Sequence, residues 1–160
     1  WIRANPEPKS GFNESWIDFF IKERLEKQLR LAYSRELVDN NFLHKFRSLY
    51  LHLPNILINE PPSLLHGDLW SGNYLINSHG NASIIDPAVY YGNREIELAF
   101  THLFGGFDSR FYQSYQEAWP LESGFENRME IYNLYPLLVH VNLFGTSYLS
   151  GVLQVLKKYT

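Results

Sequence analysis

The 160-residue sequence predicts a mainly α domain that carries one small β-hairpin, an α+β arrangement. Three observations lead there. Apolar residues recur at helical spacing along 15–32 and again along 35–53. From Ile131 to Leu156 there is no charged residue, a composition suited to buried core helices. Between these stretches lie two short apolar segments, Tyr74–Asn77 and Ala82–Ile85, flanking Ser78-His79-Gly80-Asn81, a composition that favours a hairpin turn.

Taken in order, residues 1–14 carry Asn5-Pro6-Glu7-Pro8 and Ser10-Gly11 and read as a linker or loop. Ser15 can cap a helix whose apolar face is Phe19, Phe20, Leu25, Leu29 and Ala32, with Asp18 in its first turn. Its charges alternate in sign, which describes a solvated face rather than a binding patch. A second helix is expected over Arg35–Leu53, apolar at Leu37, Val38, Phe42, Phe46, Leu49, Tyr50 and Leu53, with Pro54 helping to end it. Pro61-Pro62 stiffens the approach to the next segment. A helix should begin near Arg94, with Ile96, Leu98, Ala99 and Leu103 on its apolar side, and stop at Gly105-Gly106. Phe111–Trp119 makes a short helix halted by Pro120. The uncharged stretch is long enough to cross a bilayer. Asn133, Pro136, His140, Asn142, Thr146, Ser147, Ser150 and Gln154 interrupt it, and only Lys157-Lys158 supplies flanking charge. Two core helices broken near Gly145 fit better than a span.

Composition narrows the function classes. The length suits one compact domain, and 45% hydrophobic residues with eleven Tyr, eleven Phe and four Trp can build a core. A net charge of −3 gives no electrostatic case for nucleic acid or for an anionic membrane surface. The absence of cysteine excludes disulfides and thiol chemistry and suits a cytoplasmic setting. The first residues, WIRANPEPKSGF, have no apolar core of the kind a signal peptide needs.

Chemistry concentrates in Leu64–Asn73 and Asp86. Gly67 breaks the apolar run at Leu64-Leu65, so Asp68 falls at the start of a tight loop. Each arm of the hairpin that follows is roughly 13 Å long at strand rise, so the chain runs out and returns. Asp86 comes back close to Asn73 and Asp68. Two carboxylates and an amide oxygen then converge, one able to orient a hydroxyl and take its proton, the others hard ligands suited to Mg²⁺. The same residues could instead shape a turn and cap a helix.

The spacing resembles that of protein kinases, whose H-R-D-x-x-x-x-N and D-F-G motifs divide these tasks. Here the frame is His66-Gly67-Asp68-x-x-x-x-Asn73, then Asp86-Pro87-Ala88. Gly67 stands where the kinase Arg would be, Trp70 where a Lys is usual, and no A-P-E motif follows. These departures favour a small-molecule kinase. In loops of this type the His packs and hydrogen-bonds the loop, so His66 is expected to be structural.

His66–Asn73 (HGDLWSGN) and Ile85–Phe100 (IDPAVYYGNREIELAF) resemble the fructosamine kinase family, relatives of the aminoglycoside and choline phosphotransferases. LFGGF (Leu103–Phe107), YNLYPLL (Tyr132–Leu138), HVNLFG (His140–Gly145) and, upstream, WIDFFIKERLEKQLRL (Trp16–Leu31) extend the resemblance over nearly the whole chain. It implies a protein-kinase-like C-terminal lobe over 15–160, with its catalytic loop at 64–73 and metal loop at 85–88. It further implies ATP and Mg²⁺ as cofactors and transfer of the γ-phosphate to the 3-hydroxyl of the sugar part of a ketosamine. Asp68 would be the base, with Asn73 and Asp86 as metal and nucleotide ligands. Glu97 would brace the active-site loops, as the acidic residue before Leu-Ala does in the wider group. Asn93 departs from the family, which more usually has Asp or His there, and receives no role. Trp70 reads either as a core residue or as a flat apolar wall for the C–H face of a sugar. His140 and Asn142 are candidates for the substrate pocket, although residues two apart on a helix point to different sides.

Gly11 is the only glycine before residue 64, and no strand-borne Lys stands in a V-A-I-K-like setting. The chain therefore reads as a C-terminal lobe, the N-terminal lobe being absent from it. Aminoglycoside- or choline-type acceptors are the nearest competitors. Their cationic substrates call for an acidic cluster, whereas Asp108, Glu117, Glu122, Glu126 and Glu130 are scattered. A non-catalytic half-domain acting as a binding module is the alternative of another class. The expected partners are a sugar-amine substrate and the absent lobe. An exposed apolar face around Trp70, Ile85 and the hairpin would favour self-association.

Overall fold

The computed structural model describes residues 15–159, so the linker expected over 1–14 lies outside the described residues. The fold is α+β, mostly helical with two small antiparallel sheets. The described chain forms two units, one of residues 15–60 with 130–159 and one of Pro61–Met129.

In the first unit, α1 (Trp16–Phe19) is capped by Ser15, whose hydroxyl accepts the Asp18 N–H at 3.1 Å. It runs through a π-helical turn, Phe20–Leu25, into α2 (Glu26–Ser34). The sequence pattern suggested an uninterrupted α-helix. Phe20 and Leu25, five residues apart, would diverge by about 140° on an α-helix. The wider π turn, closed by Glu26 N–H to the Ile21 carbonyl, lets both side chains be fully buried.

Helix α3 (Asn40–Ile56) starts five residues later than expected from Arg35. Asp39 is its cap, accepting the Phe42 N–H at 2.8 Å, and Glu36 takes a left-handed φ of 57° in the turn before it. Leu37 and Val38 therefore sit off the helix, lining an open cleft of about 730 Å³ with Phe42, Leu149 and Leu153. Pro54 lies inside the last turn rather than ending it. Its fixed φ is compatible with helix, and near the C-terminus the ring forfeits a single backbone bond.

Helices α7 (Leu134–Phe144) and α8 (Leu149–Leu156) are separated at Gly145, whose φ is 93°, and by a 3₁₀ turn at Thr146–Tyr148. The expected break near Gly145 is therefore present. Phe20, Leu25, Leu49, Leu53, Leu134, Leu138, Val141 and Leu156 form the core of this unit. Tyr132 packs edge-on against Phe20 and accepts the Trp16 indole N–H at 3.3 Å. Among the described residues no helix is long and apolar enough to cross a membrane.

In the second unit, β2 (Tyr74–Ile76) and β3 (Ala82–Ile84) form the expected hairpin in the register Tyr74 to Ile84 and Ile76 to Ala82. A second sheet was not foreseen: β1 (Ser63–Leu65) pairs antiparallel with β4 (Tyr90–Gly92). Three-residue strands nearly thirty positions apart leave no local pattern by which to detect them. Helix α4 (Arg94–Leu103) follows β4 directly, capped by Asn93, and ends before Gly105 and Gly106, both at positive φ. Helix α5 (Ser109–Ala118) begins slightly earlier than expected because Asp108 caps it. Helix α6 (Phe125–Tyr132) starts in this unit and finishes in the other.

Candidate active site

The loop between β1 and β2 is held from three directions. Glu97, on the first turns of α4, accepts the Gly67 N–H at 2.6 Å and the His66 N–H at 3.1 Å, one on each carboxylate oxygen. The His66 carbonyl accepts the Ala88 N–H at 2.8 Å, which ties the loop to the chain after Asp86. His66 itself is buried and its Nε2 lies 2.9 Å from the Ile85 carbonyl. A carbonyl only accepts, so Nε2 carries the proton and Nδ1 is left to accept the Asp68 N–H at 3.4 Å. One imidazole thus links the loop bearing Asp68 to the loop bearing Asp86.

Gly67 makes the turn possible. Its φ of 81° suits glycine, and an added Cβ would lie 2.1 Å from the Ala88 carbonyl oxygen. Any side chain there would separate the two loops.

Asn73 closes the loop that carries Asp68. Its Nδ2 donates to the Asp68 carbonyl at 2.8 Å and to the Asp68 carboxylate at 3.1 Å, and its N–H donates to the Trp70 carbonyl at 2.9 Å. The Asn73 carbonyl in turn accepts the Ile85 N–H at 2.9 Å, which returns the hairpin and delivers Asp86. Asp86 adopts φ 53°, a left-handed conformation costly for a non-glycine residue. The structure therefore brings His66, Asp68, Asn73, Asp86 and Glu97 into one cluster within one unit.

The electrostatics follow from this placement. Burial pushes the Asp68 carboxyl above its ordinary value. The Asn73 amide and the His66 imidazole pull it back, while the Asp86 charge adds to the rise. Glu97 is also raised by burial, against the two N–H groups that favour its charged form.

Asn73 and Asp86 suit a hard cation. With Nδ2 committed to Asp68, the orientation of the Asn73 amide is determined and its Oδ1 accepts no hydrogen bond among the described residues. The Asp86 carboxylate likewise has no hydrogen-bond partner there. Among the described residues no three His, Cys, Asp or Glu side chains form a metal-binding group. An ion held here would take one amide oxygen and one carboxylate from the protein and the rest from phosphate and water, as Mg²⁺ does.

Trp70 is 40% exposed and lies outside the core. Beyond it the hairpin is open: Leu75, Ile76 and Ile84 are each more than half exposed, and both its strands are solvent-facing along their length. His140 and Asn142 sit on α7 in the other unit. The His140 Nδ1 pairs with the Pro136 carbonyl at 2.7 Å, and the buried Asn142 donates to the Gln28 carbonyl and side chain at 3.0 and 2.9 Å.

The sequence reading missed the anchors of α4. Asn93, given no role, is buried and accepts the Glu95 N–H at 2.9 Å. Arg94 donates to the Trp119 and Pro120 carbonyls at 2.7 Å each, with its guanidinium 4.2 Å above the Trp119 ring. Glu95, fully buried, takes two 2.7 Å bonds from Arg128, which also reaches the Glu122 and Ser123 carbonyls. Adjacent charges at the start of an apolar helix were the only available signal.

The fructosamine kinase family model matches residues 2–160. A "Probable ketoamine kinase" of Enterococcus faecium is 44% identical, the match covering 94% of this chain and 55% of that protein. The ketosamine-3-kinase of Mus musculus is 36% identical over 92% of this chain and 48% of its own length. Among solved structures, a "putative fructosamine-3-kinase" of Thermobifida fusca superposes with a TM-score of 0.83 at 34% identity, covering 90% of this chain and 50% of that one. The chain thus spans about half the length of the relatives it matches. With a family match along almost its entire length, this chain belongs to the fructosamine kinase family.

Proposed function

We propose that this chain is the catalytic lobe of an ATP- and Mg²⁺-dependent kinase that phosphorylates a sugar hydroxyl of a ketosamine. The observation that carries this reading is the Asp68–Asn73–Asp86 cluster, tied together through His66 and held by Glu97. Asp68 would accept a hydrogen bond from the acceptor hydroxyl and take its proton as the oxygen attacks the γ-phosphorus. Its raised carboxyl makes it a better proton acceptor than an ordinary aspartate, because the proton is more firmly held once transferred. The Asn73 amide would fix the carboxylate that does this through its 3.1 Å hydrogen bond. Asn73 Oδ1 and the Asp86 carboxylate would hold Mg²⁺, which when bound neutralises charge on the phosphates. The outward face of Trp70 would receive the C–H face of the sugar and orient its hydroxyl.

The open hairpin face would be covered by the lobe that supplies the phosphate-binding loop and its Lys. Exposed apolar side chains on both strands support that reading.

The test is phosphorylation of a fructosamine panel by the complete protein, beside aminoglycosides and choline. Phosphate on the 3-hydroxyl of the sugar, lost in Asp68→Asn, is the expected result. Turnover of choline or aminoglycosides in preference would move the acceptor to those classes. No turnover of any acceptor would favour a binding module.

A further inference from the structure

Two glycines in the catalytic loop are glycine for different reasons. Gly67 has a left-handed backbone and presses against a carbonyl. Gly72 does not have a left-handed φ, so an L-residue fits its backbone. What a side chain would meet there is Trp70. A Cβ on Gly72 would lie 2.4 Å from both Cη2 and Cζ2 of the indole and 2.9 Å from Cε2. All three atoms belong to the six-membered ring. The indole therefore lies on bare backbone, closer than any side chain allows, and Trp70 as a whole is 40% exposed.

Resting on the acceptor-wall reading of Trp70, we propose that Gly72 is a positioning residue that seats the Trp70 indole and so determines the acceptor geometry admitted beside Asp68. The two residues are coupled a second time, because Asn73 N–H to Trp70 C=O closes the 3₁₀ turn that contains Gly72. That turn fixes the indole's attachment point, and the missing Cβ fixes how low the ring can lie. A methyl group at 72 has to displace the ring, and a shift of about 1 Å at an attacking group can cost on the order of 10²-fold in rate. The acceptor matched to this seat presents a flat C–H face to the indole and a hydroxyl at its edge, as a sugar ring does.

The test is a cycle of Gly72→Ala, Trp70→Phe and the double variant in the complete protein. Phenylalanine lacks the six-membered indole ring that makes the contacts. Gly72→Ala is expected to raise the acceptor KM about tenfold while changing the ATP KM by less than about twofold. In the Trp70→Phe background the same substitution should change the acceptor KM by less than about twofold. Equal losses in both backgrounds, or no loss in either, overturn the proposal. If Gly72→Ala loses its cooperative melt, the double variant must regain it, and failure to do so overturns the proposal as well. A readout independent of turnover separates this inference from the kinase reading. With 5-fluorotryptophan in place, the ¹⁹F resonance that vanishes in Trp70→Phe must move in Gly72→Ala while those of the other Trp residues stay. An unmoved resonance removes the seat whatever the enzyme does, and a moved one in a protein without kinase activity leaves the seat standing and the kinase reading fallen.

Discussion

Glu97 holds Gly67 by a 2.6 Å hydrogen bond from the backbone N–H, and its second carboxylate oxygen holds the N–H of His66. A carboxylate is the side chain that can accept at both positions at once. Glu97→Gln keeps the shape but turns one acceptor into an NH₂ donor facing an N–H. One buried donor is then left unsatisfied, a loss of about 1–3 kcal/mol. The complete enzyme should melt lower by that amount and lose kcat, with the ATP Kd little changed. Thermal melts beside steady-state kinetics check this, and an unchanged Tm would remove Glu97 as the brace of the loop.

The raised carboxyl of Asp68 has a signed consequence for pH. Its folded value lies above its unfolded one, so its contribution to stability is full below the unfolded value and lost as pH rises through the folded value. Activity runs the other way, since the base must be ionised. The acid limb of the kcat/KM profile, which reports the free protein, should therefore fall above the ordinary aspartate range of about 4. Glu97 is raised too, so the assignment is made by comparing variants. Asp68→Asn should lower kcat by about 10²–10⁴ and abolish the limb, whereas Glu97→Gln should retain it. Activity within threefold of wild type, roughly half a power of ten, would exclude Asp68 as the base.

Asp86 and Asn73 should differ as metal ligands. A charged oxygen contributes more to a hard cation than a neutral one. Asp86→Ala should therefore weaken Mg²⁺-dependent nucleotide binding more than Asn73→Ala. Asn73→Ala should in addition lower kcat, because the same amide holds Asp68. Titration of nucleotide affinity against Mg²⁺ in both variants distinguishes them, and equal metal losses would contradict the ranking.

Arg128 and Glu95 form a buried pair whose partners cannot be removed singly. Arg128→Met leaves the Glu95 carboxylate, with no exposure to solvent, without its counter-charge. A loss of about 3–5 kcal/mol is expected. Replacing both residues by apolar ones of similar size should recover part of it. Denaturant unfolding of the single and double variants measures this, and a double variant less stable than Arg128→Met would contradict it.

On the proposed reading, in which a second lobe would share the positioning of the phosphates, residues 1–160 by themselves should show no appreciable kinase activity and bind Mg-ATP weakly. The open hairpin should then drive self-association, since exposed apolar patches of this kind are covered in stable proteins. Sedimentation and an ATP-consumption assay test both statements. Turnover at about 1–100 s⁻¹, the range of complete kinases, would defeat the first, and a monomer at all concentrations the second.

The sequence by itself determined whatever depends on neighbours along the chain. The helical periods of α2 to α4, the Ser15 cap, the break at Gly145, the hairpin with its polar turn and the five-residue interval from Asp68 to Asn73 are local in this sense. Only the tertiary structure decided contacts between distant residues. The π turn exists because Phe20 and Leu25 must enter the same core. The β1–β4 pair joins positions 27 residues or so apart through strands too short to carry a pattern of their own. Glu95 finds Arg128 across 33 positions, and Gln28 finds Asn142 across 114. Even Trp70, two residues from Asp68, kept its environment hidden in the sequence. A tryptophan can be buried or can lie on bare backbone partly exposed, and the free energy that chooses between them belongs to packing in three dimensions.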